Sequence, residues 1–311
     1  MAKSQMDNFR CGMVSIVGRP NVGKSTLLNT ILGEKVAIVS RIPQTTRNKI
    51  RGIYNDERCQ IIFIDTPGFH RGKDSLDDFM NRASSSAMDD VDCIVHLVDT
   101  TRVVGQEEEM IVDRLKAVKV PIILGLNKID IKKRNVAEYI ALWESAKAKP
   151  VTELDNFTMI TLSGKDAINI KELIDIIYSY LPEGQPLYPQ DTVSDMPQKL
   201  AIADIIREKF LFLLREELPH SLGVVIEHIQ PIRRRTTHIK ALVFVERQTQ
   251  KEIVIGKAGM MLKKVGSLAR EELEELLGTK VFLELFVKVQ KKWRDDVHIL
   301  QELGYDSFDY V

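Results

Sequence analysis

Residues 18–26 read Gly18-Arg19-Pro20-Asn21-Val22-Gly23-Lys24-Ser25-Thr26 and fit the pattern G-x-x-x-x-G-K-[ST]. An apolar run at 13–17 precedes them and reads as a buried strand, and 25–32 reads as the start of a helix. Strand, glycine-rich turn and helix in that order distinguish a phosphate-cradling loop from a chance match. Gly18 and Gly23 permit the tight turn that aims successive backbone N–H groups at β- and γ-phosphates. Lys24 adds a point charge, and the Ser25 hydroxyl is placed to hold Mg²⁺. The motif points to a nucleoside triphosphate and leaves the base open.

Working outward, short β-rich runs at 13–17, 60–64, 93–98, 121–126 and 157–162 alternate with helical patterns at 25–32, 76–88, 106–117, 135–147 and 170–181. Continuous apolar strands interleaved with helices imply an α/β fold, a mostly parallel sheet covered on both faces, with ligands beyond the carboxyl ends of the strands. At 311 residues the chain has room for a second core. The stretch 181–197 carries four prolines and reads as a linker. The expected division is a nucleotide domain at 8–181, a linker at 182–197 and a second domain at 198–311. In that last part the order changes to a helix at 199–218, strands at 223–230 and 238–246, a helix at 258–277 and a strand at 281–289, a smaller α+β domain.

Composition narrows the options. Net charge is zero, so any polyanion must be met by a local basic patch. Cys11, Cys59 and Cys93 lie far apart in apolar surroundings and read as core residues. No apolar stretch approaches about 18 residues and no signal-like segment opens the chain, so a cytosolic, reducing environment is expected.

Two further motifs follow strands. Asp65-Thr66-Pro67-Gly68 offers a carboxylate that can hold Mg²⁺ through water and a glycine N–H for a γ-phosphate. Asn127-Lys128-Ile129-Asp130 follows the strand at 121–126. A buried Asp130 carboxylate can accept from guanine N1–H and N2–H₂, donors that adenine lacks, which selects GTP. Asn127 and Lys128 would brace the ring and the loop.

With these three motifs in order on one sheet, the chain resembles the Era-like branch of the translation-factor-class P-loop GTPases. The loop Ser40-Arg41-Ile42-Pro43-Gln44-Thr45-Thr46-Arg47, with Gly52 beyond it, is similar to that family's first switch. The resemblance implies that Thr46, adjacent to Thr45, joins Mg²⁺ and γ-phosphate, so that Ser25, Thr46 and Asp65 form the metal set. Ser163-Gly164-Lys165 sits where the family has Ser-Ala-x and would contact guanine O6 through a backbone N–H. Phe69 follows Gly68 where many GTPases carry a water-orienting Gln, an apolar substitution that Era-like GTPases share. Arg41 and Arg47 flank the switch without forming an obvious arginine finger. In several relatives an Asn at the position of Asn21 helps hold K⁺, which supplies transition-state charge; here Asn21 either does so or only supports its loop. The implied catalytic set is Lys24, Thr46, Gly68 and Asn21, with slow intrinsic conversion of GTP to GDP.

In the second domain Ile255-Gly256-Lys257-Ala258-Gly259-Met260 contains G-x-x-G ahead of a long amphipathic helix. Paired glycines let backbone N–H groups and a helix N-terminus approach a sugar–phosphate chain, and Lys263 and Lys264 add charge one turn on. Helix, strand, strand, helix, strand around that turn resembles a type II KH domain. Arg233, Arg234, Arg235, Lys288, Lys291, Lys292 and Arg294 would form a basic rim. Trp293 either stacks on a base or caps the core. The resemblance runs from about 11 to 296. It implies a monomer that binds single-stranded 16S ribosomal RNA near its 3′ end, acts in assembly and maturation of the 30S subunit, and associates loosely with the inner face of the membrane. The alternatives are an RNA-binding assembly factor whose nucleotide is structural, and a membrane GTPase; G-x-x-G speaks against the latter, since lipid headgroups need charge without a backbone clamp. The acidic, aromatic tail from Gly304 to Val311 reads as an extension of this domain or as a docking tail.

Overall fold

The computed structural model describes residues 8–40, 42, 45–68, 74–132, 134–214, 218–232 and 235–305. Arg41, Pro43, Gln44, Phe69, Arg233, Arg234 and the tail beyond Tyr305 lie outside the described residues. The chain forms two units. The described residues of 8–37, 46–68 and 80–195 make one, and those of 38–45, 74–79 and 196–305 make the other.

The first unit is built on six strands: β1 (Arg10–Val17), β2 (Ile50–Asn55), β3 (Cys59–Asp65), β4 (Cys93–Asp99), β5 (Ile122–Asn127) and β6 (Phe157–Thr161). Their order across the sheet is β2-β3-β1-β4-β5-β6, with β2 antiparallel to β3 and every other pair parallel. Strands β3 and β4 are buried at every position, which is what a strand covered on both faces requires and why their sequence is mostly apolar, with Gln60, Asp65, His96 and Asp99 as the buried polar exceptions. Helices α1 (Lys24–Leu32) and α5 (Ile170–Tyr180) close one core through Leu27, Leu28, Leu173 and Ile177. Helices α3 (Gln106–Leu115) and α4 (Val136–Lys147) close the other through Ile111, Leu115, Tyr139 and Trp143. Helix α2 (Ser75–Ser86) contributes residues to both units. Strand β2 was not expected. It is an edge strand whose apolar residues are interrupted by Arg51 and Gly52, so it lacks the run that marks its neighbours.

The proline-rich stretch after α5 is fastened to this sheet. Pro182 accepts from Cys11 N–H at 3.1 Å and Val193 from Ile53 N–H at 2.8 Å, which gives the exposed side of β2 a backbone partner. Gln60, fully buried, secures the middle. Its Oε1 accepts from the N–H groups of Leu187 and Tyr188, while its Nε2 donates to Tyr188 O and Asn55 Oδ1.

The second unit places α6 (Gln198–Leu213), α7 (Gln248–Ile255) and α8 (Met260–Leu277) with a sheet of β7 (Gly223–Ile232), β8 (Thr236–Val245) and β9 (Lys280–Val289). Strand β8 is central, antiparallel to β7 and parallel to β9. The helix, strand, strand, helix, strand order of a type II KH domain is present, with the additional helix α7 directly before G-x-x-G. Ile206, Phe210, Ile239, Ala241, Val243, Val265 and Leu273 form its core. A last helix, α9 (Val297–Glu302), was not expected at six residues; Asp296 caps it by accepting from His298 and Ile299 N–H. No helix among the described residues is long and apolar enough to cross a membrane.

Gln60→Leu keeps the volume of this buried residue but strands the Leu187 and Tyr188 N–H groups. At about 1–3 kcal/mol per buried group left unsatisfied, unfolding in urea should show a loss of roughly 2–4 kcal/mol. A loss below about 0.5 kcal/mol, the range of an ordinary surface change, would mean that the strap is not held by Gln60.

Candidate functional site

The loops that follow β1, β3, β5 and β6 converge at the carboxyl ends of the parallel strands. In the first, Gly23 has φ +106°, a left-handed conformation disfavoured for side-chain-bearing residues, and it lets the chain enter α1. Lys24 is buried and its Nζ donates to the carbonyls of Gly18 at 3.0 Å and Arg19 at 3.3 Å, which curls the loop around the ammonium group. Burial pushes the Lys24 pKa down, opposed by the charges of Asp65 and Glu108. Gly68 lies so close to the loop that a Cβ there would sit 2.6 Å from Pro20 N, so the two segments meet backbone to backbone.

Ser25, Thr46 and Asp65 come together. Ser25 Oγ donates to Asp65 Oδ2 at 2.6 Å and lies 2.9 Å from Thr46 Oγ1. Thr45 is excluded from this cluster because its hydroxyl donates to Ile42 O. Asp65 is fully buried; burial raises its pKa, opposed first by Lys24 and then by Ser25. Its Oδ1 has no hydrogen-bond partner among the described residues. Two hydroxyls and a carboxylate with an unsatisfied oxygen are hard donors of the kind Mg²⁺ takes, so the set fits that ion.

The base loop is braced to the phosphate loop. Asn127 Nδ2 donates to Val22 O at 2.8 Å, and its Oδ1 accepts from Gly164 N–H at 3.0 Å. Lys128, at φ +67°, donates to Asn21 O at 2.9 Å and to Asp99 Oδ2 at 2.7 Å. Asn21 itself has φ +65°. Ser163 Oγ orients Asp130 by donating to its Oδ1 at 2.7 Å, and Gly164 N–H stands beside them. The expectation that Asp130 is buried is corrected: it is exposed, because it stands in the turn beyond β5, after the covered part of the strand has ended. Lys165 is exposed as well.

Three residues that sequence reasoning passed over belong to this region. Asp99 ends β4 as Asp65 ends β3; it is 1% exposed, pairs with Lys128, and accepts from Thr101 Oγ1 at 2.6 Å. An acidic residue directly after a mostly apolar strand was the available signal. Glu108, fully buried, pairs with Arg19 Nε at 2.7 Å, and Arg19 also donates to the Tyr139 hydroxyl at 3.1 Å. Arg19 therefore turns towards α3 and α4, and its backbone carbonyl is the part that meets Lys24. Glu108 stands in helical register with Ile111, Val112 and Leu115, the buried face of α3. Burial, outweighing the Arg19 charge, raises the Glu108 pKa from 4.5 to about 7.

In the second unit Gly256 (φ +75°), Ala258 (φ +50°) and Gly259 (φ +75°) bring a run of left-handed backbone to the start of α8. No side chain among the described residues caps that helix; within the turn the N–H groups of Gly259 and Met260 donate to the carbonyls of Gly256 and Lys257. Lys257, Ala258, Lys263, Lys264, Lys288, Lys291, Lys292 and Arg235 are exposed. Two expectations are corrected. Trp293 is fully buried and donates from Nε1 to Ser221 O at 3.0 Å, so it closes the core and offers no face to a base. Arg294 is bound to Asp74 at 2.6 Å and Asp77 at 3.2 Å, which cancels its charge on any basic rim.

The family model described as 50S ribosome-binding GTPase matches residues 13–128, and the KH domain model matches residues 217–294. Fold and loops together define a P-loop GTPase joined to a KH domain. Among solved structures, Era in complex with MgGDPNP and nucleotides 1506–1542 of 16S ribosomal RNA is 38% identical, with 96% of this chain and 99% of that chain covered and a TM-score of 0.88. A single-residue variant of Aquifex aeolicus Era bound to GDP and AlF₄⁻ is 39% identical with the same coverage and a TM-score of 0.87. The chain belongs to the Era family.

Two outcomes follow from this geometry. An acid whose folded pKa exceeds its unfolded value contributes stability below pH 4.5 that is lost as pH rises through about 7. In nucleotide-free protein, Glu108 should account for a fall of ~3 kcal/mol over that window, at about 1.4 kcal/mol per pKa unit. Glu108→Gln should flatten this part of the unfolding free energy against pH, even though it leaves Arg19 without its counter-charge; an unchanged slope would refute it. Trp293→Phe should cost roughly 1–3 kcal/mol of stability through the Ser221 carbonyl left unpaired, with RNA affinity retained in filter binding. A selective loss of RNA affinity would restore the base-stacking role.

Proposed function

We propose that this chain is a slowly GTP-hydrolysing switch that binds small-subunit ribosomal RNA near its 3′ end through its KH domain and acts in maturation of the 30S subunit. The observation that carries this is one chain holding three convergent nucleotide loops and an uncapped G-x-x-G turn, in a family whose member Era has been solved with MgGDPNP and that part of 16S ribosomal RNA.

In this reading Lys24 and the amides of 18–26 hold the β- and γ-phosphates, with Gly68 N–H reaching the γ-phosphate. Ser25, Thr46 and, through water, Asp65 hold Mg²⁺, which when bound neutralises charge on the phosphates. Asp130, set by Ser163, accepts from the guanine N1–H and N2–H₂, and Gly164 N–H turns from Asn127 to guanine O6. Asn21 is the candidate contact for K⁺. Residues 8–181 form the GTPase domain, 182–197 connect it, and 198–311 form the KH domain. RNA phosphates meet the 256–259 backbone, with Lys257, Lys263, Lys264 and Lys291 beside it; Arg235 stands at the far end of α8, where its carbonyl accepts from Lys280 N–H, so the expected rim of Arg233, Arg234 and Arg235 around the turn is corrected to a separate basic stretch. The protein works in the cytoplasm as a monomer, with peripheral contact at the inner membrane face.

The test is Gly259→Asp, with Gly259→Asn as the control for the strain a side chain meets at φ +75°, because a Cβ at Gly259 meets nothing within 4 Å, whereas one at Gly256 would press on Met261 N at 2.9 Å. The carboxylate should repel RNA phosphate and weaken binding of a 3′-end 16S oligomer by at least about tenfold, with GDP affinity unchanged. Wild-type RNA affinity in this variant would remove G-x-x-G from the RNA interface.

A further inference from the structure

The loop after β6 is held to α1 by a contact that the nucleotide reading has not used. Thr30 stands in the last turn of α1, and its Oγ1 donates to Gly164 O at 2.6 Å. A helical threonine commonly turns its hydroxyl back on the carbonyl four residues before it. Thr30 instead holds a segment 134 residues further along the chain. Gly164 permits that reach. It is buried, and a Cβ there would stand 3.2 Å from Leu27 Cα and 3.3 Å from Leu27 N, a very tight approach. Lacking one, the loop lies directly on the face of α1 that Leu27 and Thr30 share.

A glycine has the freest backbone torsions of any residue, so its N–H is poorly aimed unless something else fixes it. Here the oxygens on both sides of its Cα are held. Ser163 O accepts from Ile168 N–H at 3.0 Å, and Gly164 O accepts from Thr30. Each peptide is planar, so these two bonds set the two planes that meet at Gly164 and leave its Cα little room to swing. The Gly164 N–H, which meets Asn127 Oδ1 at 3.0 Å, is thereby aimed. We propose that Thr30 is a positioning residue for base selection: by locking the Gly164–Lys165 peptide it keeps the Gly164 N–H directed at guanine O6. The role rests on the GTP reading above, in which that amide turns to O6. Every residue in it belongs to the first unit. Because α1 begins at Lys24, the same bond also sets the base loop at a fixed distance from the phosphate end of the site.

The guanine oxygen separates this role from a general loss of stability. 6-Thio-GDP keeps N1–H and N2–H₂ but carries sulfur, a weak acceptor, in place of O6, whereas IDP keeps O6 and lacks the N2 group. Affinities of the full-length protein for GDP, IDP and 6-thio-GDP are measured by calorimetry for wild type, Thr30→Val and Thr30→Ser. Thr30→Val keeps the side-chain shape and removes the donor to Gly164 O. It should weaken GDP and IDP about tenfold and 6-thio-GDP less than about threefold. Thr30→Ser restores the hydroxyl and should recover most of the loss. Should Thr30→Val fail to fold, Thr30→Ala, with its better helix propensity, takes its place and the same pattern is expected. Equal losses for all three nucleotides would reduce Thr30 to a structural residue, and wild-type affinities in Thr30→Val would overturn the role outright. A wild type that binds ADP as well as GDP would instead sink the guanine reading, and this inference with it.

Discussion

A carboxylate with no exposure stands at the end of a strand with no exposed residue, and the nucleotide site is arranged around that fact. Asp65 cannot face water, so its charge has to be met from within: by Lys24 through space and by Ser25 through a short hydrogen bond. Lys24 is buried for the same reason and curls the loop carbonyls of Gly18 and Arg19 around itself. In a low-dielectric setting such groups are expensive when unpaired, so they hold one another in place before any ligand arrives. The spare Asp65 oxygen and the two hydroxyls then form a ready set of hard donors. Preorganisation of this kind leaves little rearrangement for the moment when phosphate charge develops.

The same economy links base recognition to phosphate binding. Asn127 spans from Val22 O to Gly164 N–H, and Lys128 spans from Asn21 O to Asp99. The phosphate loop, the N-K-I-D loop and the S-G-K loop are thereby one hydrogen-bonded object, so a displacement of any one is felt by the others. Arg19 adds a second anchor by reaching Glu108 and Tyr139 under the loop. Backbone atoms of the phosphate loop face the ligand while its longest side chain is spent on the scaffold.

The second unit poses a different problem, since any polyanion must be met by a local patch on a chain with no net charge. Positive-φ backbone at Gly256, Ala258 and Gly259 leads into a helix with no side-chain cap among the described residues, and Lys257, Lys263 and Lys264 beside it are exposed while other cations are neutralised internally. Arg294 pairs with Asp74 and Asp77, and Arg207 pairs with Asp204. Trp293 is sealed into the core, where its N–H finds Ser221 O.

Most of the fold was legible in the residues because its signals are local. A short apolar run such as 61–64, with β-branched residues and alternating with helical patterns, reads as a covered strand, and a glycine-rich turn between strand and helix has one common use. G-x-x-G before an amphipathic helix is similarly short-range, and so are Asp65, Asn127 and Asp130, which stand at strand ends. Edge strand β2 was hidden because a strand covered on one side needs no apolar run. What only the tertiary structure decided concerns partners distant in sequence. That Thr46 and not Thr45 joins Ser25, that Arg19 turns to Glu108, that Gln60 straps 187–188, and that Trp293 and Arg294 are internal all depend on which groups meet across the fold. Adjacent threonines are chemically alike along the chain; burial and the geometry of their separate partners make them different.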